Sequence, residues 1–515
     1  MRAMPPSTVP EPCVLVIFGA SGDLTARKLV PALYELDQRR QLPDGLCVLG
    51  VSRTEMTDDA FRDRMREAVS RHAHAFDGDR YAAFARRLHY FAGDAVRPEV
   101  YPSLVRRIES LGAERGIGRP QGGPNVLFYL SVAPELYEPI VANVGVSGII
   151  TEGKRWCVID PAATAWQRIV VEKPFGTDLA SARSLNRAIG RVFEEDAVYR
   201  IDHYLGKELV QNLLVMRFAN SIFEPIWSRD AVHSVQLTAA ETIGVGARAG
   251  SFYDGAGAIR DMIQSHLLQV LALVAMEPPP RYEADAIVRE KIKLFSAARI
   301  ACSPEEAAAW GVLGRYGAGP DGPAYADEPG VDPARRTETY AAMRIEFDNW
   351  RWGGVPFFVR TGKRLAAKLT EVVVQFREPP TAIFRGVRGL GDGCAPNRLV
   401  INVAPREGIS LELRGKVPGA GLRIASAALD LDYVERFGGE PIEAYGPLLL
   451  DAMRGDRTLF KHRDEVEGGW SIVQPFLDPG PLRDRIATYA PGSWGPPEAD
   501  SLIEASGCRW HNPAG

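Results

Sequence analysis

Cys13-Val14-Leu15-Val16-Ile17-Phe18 is an unbroken apolar run that ends in Gly19-Ala20-Ser21-Gly22 and leads into Lys28-Leu29-Val30-Pro31-Ala32-Leu33. A short apolar run without alternation, closed by a glycine turn, predicts a buried parallel strand feeding a helix. The pattern recurs at Cys47–Val51, which stops at Ser52-Arg53 before a helix start near Thr57-Asp58, with Thr57 suited to the cap. Further strand-like runs lie at Leu88–Phe91, Val126–Val132 and Ile169–Val171, with helical periodicity between them. Strand–helix alternation of this kind predicts a doubly wound parallel sheet, an α/β Rossmann-like N-terminal domain over residues 13–200.

Beyond residue 200 the pattern changes. Ser234–Thr238, Tyr340–Phe347, Glu371–Phe376 and Leu399–Val403 read as strands, with a helix over Ala258–Met276 between them. The expectation is an α+β C-terminal domain, residues 201–515, with a large mainly antiparallel sheet. Tyr316–Pro333, rich in Gly and Pro, reads as a long loop, and the Pro-rich residues 1–12 as a disordered tail.

At 515 residues, two domains are the natural expectation. A 46% apolar and 24% charged composition is that of a globular chain. A net charge of −4 leaves no basic footprint for nucleic acid, so an anionic substrate must be met by local basic residues. The longest apolar stretch, around Leu267–Met276, is too short to span a bilayer, so no membrane is expected. Six cysteines without a CxxC pair or metal-ligand spacing fit a reducing, cytoplasmic setting.

The densest chemistry lies in Arg200-Ile201-Asp202-His203-Tyr204-Leu205-Gly206-Lys207-Glu208. It follows the strand-like Ala197-Val198-Tyr199 and precedes an apolar helix pattern, which puts Gly206 and Lys207 at a helix N-terminus, where an anion is favoured. His203 and Lys207, four residues apart, can face one phosphate, while Asp202 is left to orient a base. Solvated charges at an ordinary strand–helix junction are the plain alternative.

Gly19-Ala20-Ser21-Gly22-Asp23-Leu24 has the strand-before, helix-after context of a dinucleotide-binding turn, although its spacing is not GxGxxG and a tight turn without ligand stays open. Where an NAD enzyme places an acid for the ribose hydroxyls, this chain has Ser52-Arg53. Arginine suits a 2′-phosphate, which favours NADP, unless Arg53 is only a surface residue. Lys173, in Glu172-Lys173-Pro174, stands at the carboxyl end of a parallel strand, where ligands bind, or is a surface lysine. His266 lies beside the apolar stripe Ile259, Ile263, Leu267, Val270, Val274 and could be a satisfied core histidine.

Arg-Ile-Asp-His-Tyr-Leu-Gly-Lys-Glu resembles, residue for residue, the signature of the glucose-6-phosphate dehydrogenase family. Gly-Ala-Ser-Gly-Asp-Leu with Arg27-Lys28-Leu29, the Glu-Lys-Pro triplet and the run Ile259–Gln269 are similar to stretches of the same family, and the likeness runs from about residue 13 to about residue 475. The resemblance implies oxidation of D-glucose 6-phosphate to 6-phosphogluconolactone with NADP. It implies His266 as the base that takes the C1 hydroxyl proton and Asp202 as its partner, an apt use of an imidazole near its own pKa. His203, Tyr204 and Lys207 would hold the phosphate, and Glu241, Asp261, Lys363 and Lys368 the rest of the substrate. Gly19, Ser21, Gly22, Asp23, Leu24, Arg53 and Ser131 would contact NADP, and Lys173 both ligands. A homodimer or homotetramer is implied as well.

Some positions depart from the family. Ala404-Pro405 stands where members usually carry Gln-Pro, Lys368 where animal members carry Arg, and an insertion lies around Gly153–Pro161. Leu369 and Val373 are apolar where animal enzymes use basic residues for a second, structural NADP, so one NADP per chain is expected. The change at Ala404 keeps another aldose or hexose phosphate open as substrate. A catalytically silent paralogue is the rival of a different class, opposed by the presence of every dyad and phosphate residue.

Overall fold

The structure, a computed structural model, describes residues 9–119, 123–150, 165–246, 249–320, 322–381, 383–384, 396–438 and 444–513. The apparent insertion at Gly153–Pro161 and most of the N-terminal tail lie outside them. The chain divides into two compact units. One holds the chain up to Gly206 together with Arg281–Val288 and the described part of Pro441–Val466, and the other holds the remainder.

The first unit is built on a seven-stranded sheet. Its strands in chain order are β1 (Val14–Phe18), β2 (Cys47–Ser52), β3 (Leu88–Ala92), β4 (Val126–Leu130), β5 (Gln167–Val171) and β6 (Val198–Ile201). They are mutually parallel in the order β6-β5-β4-β1-β2-β3. β1 and β4 are buried at every position, as an apolar run covered on both faces requires. Strand order reverses between β1 and β4, the switch point at which doubly wound sheets open a crevice beyond their carboxyl ends.

After β1 a π-helical turn (Thr25–Leu29) runs into α1 (Val30–Gln38), and α2 (Asp58–His72) follows β2. Thr57 caps α2 as its sequence position predicts, accepting the Ala60 N–H at 3.2 Å. The seventh strand is a two-residue piece from far along the chain, Phe460–Lys461, antiparallel to β6 on the sheet edge. The helix Tyr445–Arg454 contributes Leu448, Leu449 and Met453 to the same core.

The second unit carries a nine-stranded sheet. In chain order its strands are β7 (Val232–Ala240), β8 (Gly311–Tyr316), β9 (Tyr340–Ile345), β10 (Phe357–Gly362), β11 (Leu369–Phe376), β12 (Arg398–Ala404), β13 (Gly408–Lys416), β14 (Ile424–Asp432) and β15 (Ala487–Tyr489). The order is β14-β13-β12-β11-β7-β10-β9-β8-β15, antiparallel except where β7 meets β10 and β8 meets β15. This is the mainly antiparallel sheet the strand pattern predicts. The helix expected over Ala258–Met276 is present with a twist in its path: Ile259–Leu267 is π-helical and continues as the α-helix Leu268–Ala275.

The four described cysteines, Cys13, Cys47, Cys302 and Cys508, are free thiols. Among the described residues no helix is long and apolar enough to cross a membrane.

Candidate functional site

Because β1 to β6 are parallel, the residues that follow each strand share one end of the sheet. Gly19 follows β1, Ser52 closes β2, Ser131 follows β4, Lys173 lies just beyond β5, and Asp202 follows β6. Gly19 has φ of +84°, a conformation that suits glycine, and a Cβ there would lie 2.0 Å from the Ser131 carbonyl oxygen. The turn is closed by Gly22 N–H donating to the Gly19 carbonyl at 2.9 Å. No side chain caps the helix that begins at Thr25, and within its first turn the Ala26 N–H donates to the Gly22 carbonyl at 3.3 Å. A glycine turn beneath an uncapped helix start fits the pyrophosphate of a nicotinamide dinucleotide.

Around this turn the hydroxyls converge. Ser21 Oγ lies 2.7 Å from Ser52 Oγ and 3.3 Å from Thr54 Oγ1, and Thr25 donates to Ser131 Oγ at 3.3 Å. Arg53, exposed, is the first residue past β2, and no carboxylate closes that strand. Asp23 is exposed and ion-paired to Arg27 at 3.2 Å, one turn on, and Leu24 opens the π-helical turn. Sequence reasoning missed Arg64: from α2 it donates to the Ser21 carbonyl at 2.5 Å, a contact for which the sequence carries no signal.

Lys173 is held by its neighbours. Glu172 is buried, takes a 2.5 Å hydrogen bond from Tyr129, and its carbonyl accepts from Tyr137 at 3.0 Å. Burial raises the Glu172 carboxyl above the ordinary range, opposed by the Tyr129 and Tyr445 phenols and by Lys173. The Lys173–Pro174 peptide is cis.

Asp202 is buried at the end of β6 and accepts the Tyr204 N–H at 3.0 Å. Its Oδ2 faces Lys461 Nζ at 2.9 Å, a partner that sequence reasoning also missed. The rings of His203 and Tyr204 meet edge to face, 5.2 Å between centroids. Lys207 is the cap residue of α3 (Glu208–Phe218), so the helix N-terminus falls where the sequence places it.

In the second unit, Glu241 follows β7 and Lys363 follows β10, and the parallel pairing of those strands sets them side by side. Lys363 Nζ lies 2.7 Å from Glu241 Oε2. Lys368, exposed, immediately precedes β11, whose first residue pairs with Ala240, so it joins the same end of the sheet. Three residues scattered along the sequence thus share one rim. Asp261 and His266 both lie on the π-helical stretch, Asp261 half-buried and His266 only 1% exposed. Burial, and next the Asp261 carboxylate, push the Tyr253 phenol well above its ordinary value; Lys363 Nζ sits 5.7 Å from that ring.

The helix carrying His266 is anchored at its start by Glu338. Its Oε1 accepts the Ile259 N–H at 3.2 Å, its carbonyl takes the Ala258 N–H, and Arg483 pairs with its Oε2 at 2.8 Å. Gly257, with φ of +71°, leaves room for that carboxylate, since a Cβ would fall 2.5 Å from Oε1. π-Helical turns are often found at functional sites, where they re-aim side chains.

Known proteins are similar to this chain over nearly its whole length. Residues 16–212 match the family model "Glucose-6-phosphate dehydrogenase, NAD binding domain", and residues 214–511 the model "Glucose-6-phosphate dehydrogenase, C-terminal domain". The chain is 44% identical to a glucose-6-phosphate 1-dehydrogenase of Aggregatibacter actinomycetemcomitans over 509 residues, 98% of each chain. It is 43% identical to one of Mycolicibacterium smegmatis over 519 residues, 99% of each. Among solved structures, a glucose-6-phosphate dehydrogenase in complex with its substrate glucose-6-phosphate superposes with a TM-score of 0.86 at 32% identity, covering 98% of this chain and 100% of that one. The glucose-6-phosphate 1-dehydrogenase of Mycobacterium avium gives 0.80 at 36%, covering 98% and 99%. With both domain models matched in order and such identity sustained end to end, the chain belongs to the glucose-6-phosphate dehydrogenase family.

Proposed function

We propose that this chain oxidises D-glucose 6-phosphate at C1 to 6-phospho-D-glucono-1,5-lactone with NADP as the acceptor. Family membership makes it an oxidoreductase of this reaction with a nicotinamide cofactor; the choice of NADP and the roles of single residues are the finer reading. The observation that carries NADP is the end of β2, where Ser52 and an exposed Arg53 stand in place of a carboxylate, beside the Ser21 and Thr54 hydroxyls.

In this reading Gly19, Ser21, Gly22, Asp23 and Leu24 present the turn and helix start to the pyrophosphate, with Ser131 beside it and Arg53 on the 2′-phosphate. Bound NADP supplies the hydride acceptor. His266 takes the C1 hydroxyl proton while Asp202 holds the other ring nitrogen, fixing the tautomer and stabilising the imidazolium. Glu241, Asp261, Lys363 and Lys368 hold the sugar, and Lys173 serves both ligands. The test is the rate of NADP and NAD reduction over a panel of phosphorylated and free sugars. A preference for NAD, or for another sugar phosphate, overturns the finer reading.

His203, Tyr204 and Lys207 are assigned to the phosphate. Truncating any one raises KM for glucose 6-phosphate about ten- to a hundredfold, since a charge-assisted bond contributes about 1.5–3 kcal/mol. The advantage over free glucose narrows by the same factor. Equal effects on both sugars would remove phosphate recognition from this stretch.

The chain is also proposed to self-associate through the β13–β14 edge of its second sheet. Ile409, Leu411 and Leu413 pair across the ladder with Leu431, Leu429 and Ala427, making one apolar face. Leu429 is 62% exposed, and Phe437 beyond it 71%. An apolar face left open to water is a mark of an interface. Leu429→Asp should halve the mass or more in light scattering while the far-UV spectrum stays unchanged; an unaltered mass refutes the assignment.

A further inference from the structure

Lys461 reaches the site from far along the chain. It lies on the strand Phe460–Lys461, whose pairing with β6 sets Lys461 opposite Arg200 and Phe460 opposite Ile201, next to Asp202. Phe460 locks the pairing from the other side, packing edge-on against Tyr199 at 4.9 Å between centroids. The Lys461 side chain is 3% exposed, and its ammonium lies 2.9 Å from Asp202 Oδ2 in a carboxylate with no exposure at all. Lysine is rarely buried so completely unless its charge is answered. The ammonium also stands 5.7 Å from the ring of Phe175, two residues beyond Lys173.

We infer that Lys461 is a positioning residue for the reaction, its ammonium holding Asp202 ionised and in place and thereby lowering the proton affinity of the Asp202–His266 pair. The inference rests on the reading of His266 as base and Asp202 as its partner. His203 also brings a ring nitrogen within 4.8 Å of an Asp202 carboxylate oxygen, and further charged groups lie near the strand. Arg200 is paired with Glu195 at 2.5 Å, with His462 3.9 Å from the same carboxylate. Glu465 accepts the His462 N–H at 3.3 Å, and Glu172, beside Lys173, accepts from Tyr129. Among the described residues Lys461 is a cation set directly against Asp202, 2.9 Å from its Oδ2.

The direction of the effect follows from charge alone. The active form of the pair carries an ionised Asp202 and a neutral His266. A cation at Asp202 makes the last proton easier to lose, whichever residue holds it. Taking the cation away moves that loss to higher pH.

The experiment compares Lys461→Met and Lys461→Arg in the full-length enzyme, with kcat/KM for glucose 6-phosphate measured across pH and thermal unfolding recorded beside it. In Lys461→Met the acidic limb is expected to rise by about one pH unit, so that kcat/KM falls about tenfold below the limb and recovers toward wild type above it. Lys461→Arg keeps the charge and keeps the wild-type limb. A fall of equal size at every pH, an unmoved or lowered limb, or the same shift in both variants overturns the inference. Should Lys461→Met not fold, Lys461→Gln takes its place, keeping a hydrogen-bonding end beside Asp202 without the charge. A raised limb in Lys461→Gln supports the role and an unmoved limb overturns it. His266→Asn separates the two readings. If that variant keeps its rate, the base is misassigned; if it loses its rate while the Lys461→Met limb stays put, only the role of Lys461 falls.

Discussion

Replacing His266 with asparagine is expected to lower kcat about 10²–10⁴-fold while leaving KM for glucose 6-phosphate within a few-fold of wild type. The size follows from the chemistry. Hydride cannot leave C1 to form a lactone unless the C1 hydroxyl proton goes elsewhere, and a positioned imidazole contributes most as the bond breaks. Asparagine keeps a similar volume and a hydrogen-bonding amide at a position only 1% exposed, so packing is spared and proton transfer is not. Asp202→Asn should act on the same parameter with a smaller loss, because it disturbs the tautomer and the imidazolium without removing the base. Steady-state kinetics at saturating NADP decide the matter, and a near-normal kcat in His266→Asn would show that another group takes the proton.

Arg53→Ala should cost about ten- to a hundredfold in kcat/KM for NADP and almost nothing for NAD. A guanidinium on the 2′-phosphate makes charge-assisted hydrogen bonds of about 1.5–3 kcal/mol, and NAD has no phosphate there to lose. The loss should sit in KM and not in kcat, since the contact is equally strong in the ground state and the transition state. Ser52→Asp with Arg53→Ala should move preference further toward NAD, the new carboxylate accepting the ribose hydroxyls and repelling the phosphate. The measurement is kcat/KM for both cofactors in wild type and variants. An equal fall for the two, or a wild type that already prefers NAD, would reduce Arg53 to a surface charge.

Much of the molecule was legible because its signals are local. The apolar runs at Val14–Phe18 and Val126–Leu130 have no polar face, and they became fully buried strands of a parallel sheet. The glycine turn after β1, the Thr57 cap and the helix beginning beyond Lys207 each depend on a few consecutive residues. The strands β13 and β14 were missed although Ile409, Leu411 and Leu413 alternate with Ser410, Glu412 and Arg414, a usable period-two signal. β14 carries exposed residues at nearly every position, so burial imposes little pattern on it.

By itself the sequence determined which residue types stand at the ends of which strands, and with them the class of chemistry: a turn for a pyrophosphate, an arginine in place of an acid, an acid–imidazole–phenol–ammonium cluster at a helix start. Tertiary structure alone decided which distant residues meet. The Glu241–Lys363 ion pair exists because β7 and β10 run parallel as neighbours, and Glu338 anchors the His266 helix across a loop no periodicity describes. Lys461 meets Asp202 only because two residues of a returning segment complete the edge of the first sheet. Short-range patterning follows from the period of each element, whereas strand pairing and the partners of buried charges follow from closure of the whole fold, where loop entropy and desolvation are settled together.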